Sequence, residues 1–596
     1  MCGLFGIYGR GASLSSEELE DQFSLIRHRG PDGSGLIELP ECTLGHTLLA
    51  IQNPGFAEQP MKSISGKNVI VFNGEIYNFK DLTQRYNLDN LRTGSDTEVV
   101  IELIDRFGVK TIDLFEGMFS FAIFNTESKK LTLARDRFGE KPLFYSKKNG
   151  KIFFGSDPRA VKRMSGAKFS FNQDFLGHYL KYQYLPEGSS PFRDVQQLLP
   201  GSYSTFDLDQ IVEDKRLGGN NYQVDGEEDF SLIFSNSVRD CMVSDVPIGI
   251  ALSGGIDSAI VLYEATRFNS DIKSFTVLLD KRDESFAREA ATLLGSTHHE
   301  IRISNDELPE LIHRVLSNQP LPFGDSSIIP TYVLAKFARE HVKVLISGDG
   351  ADEVLSGYTY YRKYGNVQVK NMCLTSEYLK KNAEVWAIRR LFSRKEFSRI
   401  ARVRELEFVL SKKEAFELWQ EDLSNLDELE MQEFGLESNE IRKISRRGFR
   451  EFRDIQTIME WDRDSYLPGD ILWKSDTAGM MASLEIRTPF LNSKVLAWAQ
   501  NKEFSNTISK QSIMCAEYAG KIPEHFFARK KMGFGAPLGE WFKLQKIHDL
   551  FFDIVGDRSS NLYDFLNISR SVNLSNLKPQ TKWNLLALAL WLQKHA

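Results

Sequence analysis

Cysteine is scarce in this chain: Cys2, Cys42, Cys241, Cys373 and Cys515 are scattered through 596 residues, with no C-x-x-C pair and no regular histidine partner. Such spacing excludes a disulfide framework and a zinc ribbon. Cys42, Cys241, Cys373 and Cys515 read as small buried hydrophobes, the commoner role of a lone cysteine. Excess positive charge is lacking too. Lys and Arg number 74 against 81 Asp and Glu, and the net charge of -7 gives no overall field for non-specific nucleic-acid binding. No apolar run reaches the roughly 20 residues of a membrane helix. The longest late run, Leu585 to Leu592, is closed by Gln593 and Lys594 and reads as a core helix. The opening MCGLFGIYGR lacks the basic and long apolar regions of a secretory signal, so a cytoplasmic enzyme is expected. Internal repeats, low-complexity tracts and the Walker pattern G-x-x-x-x-G-K-[ST] are also missing.

What is present points to two domains. The chain is far longer than the roughly 250–300 residues at which single cores stop growing. From residue 2 to about 205, short β-branched and aromatic runs (LFGIYG, NVIVFNGEIYN, FSFAIFN, KLTLARD, KIFFGS) lie between Gly, Asn and Asp turns and read as strands. Helical patterns interrupt them at Ser16–Arg27 and Ser95–Phe107, the second capped by Ser95 or Asp96. This is an α+β domain. Residues 206–228 turn polar and Gly/Asn-rich and read as a linker. In 229–596 the runs IGIALSG, KSFTVLL, THHEIRI and VKVLISG alternate with helical patterns, which predicts βαβ units and a parallel sheet. From Tyr361 onward the pattern is mostly helical. His298 and His299 are adjacent on a strand, point to opposite faces and cannot easily share a metal.

The strongest local motif is Ser253-Gly254-Gly255-Ile256-Asp257-Ser258, which follows an apolar strand and opens a helix. There, backbone N–H groups and the helix dipole can hold a phosphate, and Asp257 can bind the accompanying magnesium. A second strand, Val344–Ile346, ends in Ser347-Gly348-Asp349-Gly350-Ala351-Asp352-Glu353, so two loops can face one ligand at the carboxyl ends of a sheet. Asp257 and Asp352 are the candidate Mg²⁺ ligands.

SGGIDS resembles the pyrophosphate loop of the ATP-pyrophosphatase superfamily, and its pairing with SGDGADEVLSGY narrows the resemblance to the asparagine synthetase family. WKSDTAGMMASLEIRTPFLN and ARKKMGFGAPLGEW match that family as well. The resemblance implies that Lys531, beside Arg529, Gly533 and Phe534, approaches the reacting carboxylate and phosphate. It implies a catalytic part for Asp349, and ATP contacts from Leu252, Ser253, Gly254, Gly255, Asp257, Ser258, Val277, Ser347 and Gly348. ATP and Mg²⁺ are the implied cofactors.

Before Gly3, Cys2 becomes the N-terminal residue once Met1 is removed, and its own amine can then serve as general base for its thiol. RHRGPDG, NGEIYN, GSD and ARDRFG follow in an order that resembles the glutaminase domain of class II glutamine amidotransferases, an N-terminal nucleophile αββα sandwich. On that resemblance Asn73 and Gly74 form the oxyanion hole, while Glu75, Asp96, Ile51 and position 48 hold glutamine. The family usually places an arginine at position 48 to grip the glutamine α-carboxylate, and Leu48 cannot make that contact. Relatives often carry Asp-Glu-Pro where this chain has Asn318-Gln319-Pro320, near the expected acceptor pocket. The implied reaction is glutamine-dependent amide synthesis through an acyl-adenylate, with aspartate as acceptor. The alternatives are another carboxylate, such as a sugar acid or a natural-product intermediate, and, in a different class, a tRNA-modifying enzyme. Glutamine, ATP and the carboxylate are the expected partners, without nucleic acid or membrane, and a homodimer stays open.

Overall fold

A computed structural model describes residues 2–53, 55, 58–170, 173–186, 188–208, 210–217, 228–279, 281–361, 424–426, 455–505, 507–529, 534–566 and 572–596. The first domain contains two six-stranded sheets. One has the order β10-β8-β9-β1-β3-β2 and the other β12-β11-β7-β6-β5-β4. The strands are β1 (Gly3–Tyr8), β2 (Gly33–Leu39), β3 (Cys42–Leu48), β4 (Met61–Lys62), β5 (Asn68–Ile76), β6 (Gly117–Asn125), β7 (Lys130–Arg135), β8 (Phe144–Lys148), β9 (Lys151–Gly155), β10 (Val195–Gln197), β11 (Ser202–Asp207) and β12 (Gln210–Arg216).

Side-chain alternation with period two explains the layering. Leu4 and Tyr8 of β1 face Val69 and Val71 of β5 in the core between the sheets, whereas Phe5 and Ile7 point outward. The outer face of the first sheet is covered by α1 (Ser16–Ile26), and Ile70 and Phe72 of the second sheet are covered by α2 (Phe79–Arg85) and α3 (Asp96–Phe107). Helix, sheet, sheet and helix therefore stack as the expected αββα sandwich. Each fully buried aliphatic or aromatic side chain in these layers contributes about 1.5–3 kcal/mol. Helix α1 begins with a capping box between Ser15 and Glu18, and the Ser95 side chain caps α3. Two further helices, α4 (Pro158–Ser165) and α5 (Gln173–Tyr182), lead toward the second domain.

Part of the expected linker is sheet: Phe206 and Asp207 end β11, and Gln210–Arg216 pairs with it as β12. Its polar composition reflects an edge strand with mostly exposed side chains. Residues 218–227 lie outside the described residues.

The second domain, opened by α6 (Phe230–Cys241), is built on a parallel sheet in the order β15-β14-β13-β16-β17. These strands are β13 (Ile248–Ala251), β14 (Lys273–Leu278), β15 (Thr297–Arg302), β16 (Val344–Ile346) and β17 (Glu485–Arg487). From β13 the chain passes through α7 (Ile256–Phe268) to β14 and through α8 (Lys281–Leu294) to β15. Helices α9 (Leu308–Ser317) and α10 (Ile328–Ala338) then bring it back to β16 on the other side of β13. Strand order thus reverses between β13 and β16, which opens a crevice beyond their carboxyl ends. After β16 come α11 (Ala351–Leu355), α12 (Leu472–Met481) and the C-terminal α13 (Pro579–His595). Helix α13 buries Trp583 to Leu592 against residues of both domains, including Tyr179 and Phe192, as the core-helix reading required. Among the described residues no helix is long and apolar enough to cross a membrane.

Candidate active site

The first candidate centre is the start of β1. The Cys2 backbone nitrogen donates to Asn73 Oδ1 at 2.8 Å, and Arg29 Nε donates to the Cys2 carbonyl at 3.1 Å. Burial pushes the Cys2 thiol above its ordinary range, a backbone hydrogen bond from Leu49 works the other way, and the charges of Glu485 and Asp96 add to the rise. Asn73 and Gly74 sit in the middle of the β5–β6 pairing. A Cβ on Gly74 would lie 2.1 Å from the Met118 carbonyl, so only glycine fits there. Asp96, at the start of α3, accepts from the Ile76 and Thr97 N–H groups at 3.0 and 2.6 Å, yet burial pushes it up to about 6.

The second domain closes over this centre. Arg487 on β17 donates to Glu75 at 3.0 Å and to Glu485 at 2.7 Å, and its remaining nitrogen donates to the carbonyls of Cys241 and Val243. One guanidinium faces two buried carboxylates. Burial opposes the charge of Glu485, but positive neighbours including Arg487 hold it down at about 2. For Glu75 burial outweighs Arg487 and the carboxyl is pushed well up, with the charges of Asp96 and Glu485 adding to the effect. Arg29 forms a bidentate pair with Asp476 of α12 at 2.9 and 3.2 Å, with Lys141 on the same carboxylate at 3.6 Å.

Leu48 ends β3 opposite Gly33 and immediately precedes the Leu49 N–H that faces the thiol. Ile51 instead packs with Leu49 against Val344 and Met480 at the domain seam, and its carbonyl accepts from the Asp245 N–H at 3.2 Å. The structure therefore gathers Cys2, Asn73, Gly74, Glu75 and Asp96, with Leu48 at the border and Ile51 at the seam.

The second candidate centre lies at the strand reversal. After β13, Ser253 and Ser258 hydroxyls lie 3.1 Å apart, and the Gly255 N–H bonds to Ser253 Oγ at 3.3 Å. Gly254 takes φ +70, and a Cβ there would lie 2.7 Å from the Ala287 nitrogen. A Cβ on Gly348 would lie 3.0 Å from Asp257 Cβ, so the loops after β13 and β16 touch. Leu252 immediately follows β13 and leads into this loop, its carbonyl accepting from Thr276 Oγ1, and Val277 lies on β14. Asp349 accepts from Ser347 at 3.0 Å and from Ser475 of α12 at 2.7 Å.

Lys510 joins the two expected metal ligands, its ammonium 2.7 Å from Asp257 and 2.6 Å from Asp352. Although burial works against its charge, the two carboxylates raise its affinity for a proton. Buried Lys474, which feels the charge of Asp349, lies 3.4 Å from Asp325, which also accepts from the Ser327 hydroxyl at 2.5 Å. Burial, and then the charge of Asp325, push Asp470 well up. Lys474, Lys510, Asp476 and Arg487 were not singled out from sequence. Their signal was charge inside apolar stretches, such as Lys474 and Asp476 in WKSDTAGMM. Lys531 and Gly533 lie outside the described residues.

Asn318 and Gln319 are not with Lys474. The Asn318 amide accepts from Lys594 and its carbonyl from Arg159, while the Gln319 carbonyl accepts from Trp591 of α13. The two histidines of β15 have separate partners: His298 bonds Ser274 at 2.8 Å, and His299 stacks on Phe275 and His341.

The family described as asparagine synthase matches residues 230–593, and a glutamine amidotransferase domain matches residues 1–216. The chain belongs to the asparagine synthase family. It is 29% identical over 605 aligned positions to asparagine synthetase [glutamine-hydrolyzing] 1 of Bacillus subtilis, covering 94% of this chain and 91% of that one. A putative asparagine synthetase of Mycobacterium tuberculosis is 26% identical, covering 99% and 97%. A second such relative, from Methanocaldococcus jannaschii, is 31% identical but covers 60% of this chain and 76% of its own length. The two matched regions coincide with the sandwich and with the parallel-sheet domain.

Proposed function

We propose that the protein converts aspartate to asparagine, using ATP and ammonia released from glutamine at Cys2. The observation that carries this reading is the line of contacts joining the two centres. Arg29 holds both the Cys2 carbonyl and Asp476, and the neighbouring Ser475 holds Asp349 in the second loop.

With Met1 removed, the Cys2 nitrogen is an α-amine oriented by Asn73, placed to take the thiol proton. The thiolate attacks the glutamine carboxamide carbon, and the N–H groups of Asn73 and Gly74 meet the developing oxyanion. Collapse of that intermediate releases ammonia and leaves a glutamyl thioester, which water hydrolyses. Closure of the centre by Arg487 and Glu485 keeps ammonia from bulk water, where it would be protonated.

At the second centre the Ser253–Ser258 loop and the α7 N-terminus hold the ATP phosphates. Mg²⁺ is usually held by one or two carboxylates plus phosphates, and Asp257 and Asp352, already drawn together by Lys510, fit that donor set. Bound there, it would neutralise phosphate charge. Lys474 offers a cation for an acceptor carboxylate and Asp325 an anion for an α-ammonium, a pattern suited to an amino acid. The acceptor carboxylate attacks the α-phosphorus and pyrophosphate leaves; ammonia then displaces AMP. The positions that suggested a different acceptor, Asn318 and Gln319, bond to Arg159, Lys594 and Trp591 instead.

Assay of the full chain with ATP, aspartate and either glutamine or ammonium is the test. AMP, pyrophosphate and asparagine are expected, with Cys2→Ala abolishing glutamine use and sparing ammonium use. Equal loss with both nitrogen donors would defeat the split-site mechanism, and pyrophosphate release with a different carboxylate alone would defeat the aspartate assignment.

A further inference from the structure

Between the two domains, lined by none of the residues placed in either centre, lies a cleft of about 550 Å³ formed by α1 and α4 on one side and α9, α10 and α13 on the other. Five side-chain cations line it, Arg159, Lys162, Arg163, Arg314 and Lys594, and no Asp or Glu side chain does. Three of the five are paired with acids: Arg159 with buried Asp157 at 2.7 Å, and Arg163 and Arg314 with the exposed Asp21 and Glu310 at 3.7 and 2.5 Å.

Lys162 and Lys594 differ. Among the described residues neither forms an ion pair. Lys162 donates to the His595 carbonyl at 2.9 Å and Lys594 to the Asn318 amide oxygen at 2.6 Å. Two ammonium groups thus face one cavity with neutral oxygens as their partners, close to the guanidinium of Arg159. Burial is the main cause that lowers the proton affinity of Lys162 and Lys594, and a nearby guanidinium adds to it, Arg163 for Lys162 and Arg159 for Lys594. Burial also pulls His28 and His595 down to about 4, which leaves both rings neutral at pH 7, and the single N–H of His595 is given to the Ser317 carbonyl at 2.9 Å. Phe192 and Tyr332 add aromatic wall, and the volume is that of an ordinary small-molecule site.

We propose that this cleft binds a phosphate-bearing small molecule, with its phosphate between Lys162 and Lys594 and its remainder against Phe192 and Tyr332. Lysine is a point-charge phosphate binder, and convergence of several cations on one cavity suits a dianion better than a single carboxylate. Because both domains supply lysines, the ligand would also clamp them together, by the linkage that stabilises any state to which a ligand binds. None of these residues belongs to the catalytic arrangement proposed above, so the inference stands independently of it.

The test is calorimetric titration of the full chain with inorganic phosphate and, separately, citrate. Three proteins are compared: unmodified, Lys162→Gln/Lys594→Gln, and Ser253→Ala as a control for phosphate at the nucleotide loop. Phosphate is expected to bind with a Kd below about 10 mM. The lysine variant should lose at least about tenfold in affinity while Ser253→Ala keeps it, since a hydrogen bond to a charged group is worth roughly that factor. Unchanged melting temperature without ligand shows the variant is folded, and Lys594→Gln alone, at the exposed rim, serves if the pair is not. Absence of phosphate binding, loss in Ser253→Ala with retention in the lysine variant, or binding of citrate alone would each overturn the proposal.

Discussion

Arg487 and Glu75 are 412 positions apart in sequence and 3.0 Å apart in space, a fully buried guanidinium–carboxyl contact across the seam between the two domains. Burying such a pair stabilises little by itself, but removing one partner strands the other. Arg487→Met should therefore destabilise the chain by about 3–5 kcal/mol. The double variant Arg487→Met/Glu75→Leu should recover part of that loss. Thermal unfolding of the four combinations gives the coupling directly, and additive losses would show that the contact is energetically idle.

Cys2 reactivity should climb with pH. Burial raises its pKa above the ordinary thiol value, so the thiol form dominates at neutrality and the thiolate grows in as pH passes the usual range. Alkylation by iodoacetamide, followed by mass spectrometry on the N-terminal peptide, should accelerate continuously through pH 9. A plateau reached below pH 8 would contradict the upward shift that burial imposes on the thiol.

Asp96 supplies a stability signature of the opposite kind to a salt-bridged acid. Its folded pKa of about 6 exceeds the unfolded value of 3.8, so the folded state holds its proton longer. Stability is then greatest below the unfolded value and falls as pH rises from about 4 through about 6. The two-unit rise corresponds to about 3 kcal/mol above that window. Asp96→Asn should remove this slope, and melting temperatures at pH 4.5 and 7.5 should change relative to the unmodified chain by that order. Parallel pH profiles would rule it out.

Leu48→Arg should tighten glutamine binding. A guanidinium at the end of β3 could pair with the substrate α-carboxylate, and a hydrogen bond to a charged group is worth about 1.5–3 kcal/mol, or roughly 10- to 100-fold. The expected result is a lower KM for glutamine with kcat little changed. No change in KM would mean that the α-carboxylate points elsewhere.

Lys510 and its two carboxylates predict a metal dependence of folding. Lys510→Met leaves Asp257 and Asp352 facing each other, so melting temperature should drop, and millimolar Mg²⁺ should restore more of it than in the unmodified chain. Equal Mg²⁺ responses would argue against both aspartates as ligands.

Resemblance to the glutaminase domain made most of the first centre legible: Asn73, Gly74 and Glu75 are consecutive in the middle of one strand, where no turn marks them, and only Asp96, at the start of a helix that Ser95 caps, carries a local signal. The two phosphate loops were legible from local chemistry, because each is a strand, a glycine turn and a helix start. Arg487, Asp476 and Lys510 were not, because their partners are contributed by another domain or another loop and no spacing rule connects them. Composition also misled at β12, where exposure at a sheet edge produces the same polar sequence as a linker. Asn318 and Gln319 follow α9 in sequence near Asp325, but packing under α13 takes them to a different face.

The seam itself has a consequence for how the protein can be divided. Arg29 and Glu75 lie on one side, Asp476 and Arg487 on the other, and all four are buried. A cut between the halves would leave each with charges whose counterparts had departed, exposed on surfaces shaped to exclude water. Neither half is an independent module that happens to be tethered; each supplies part of the other's interior, so making amide and releasing ammonia are tasks of one folding unit.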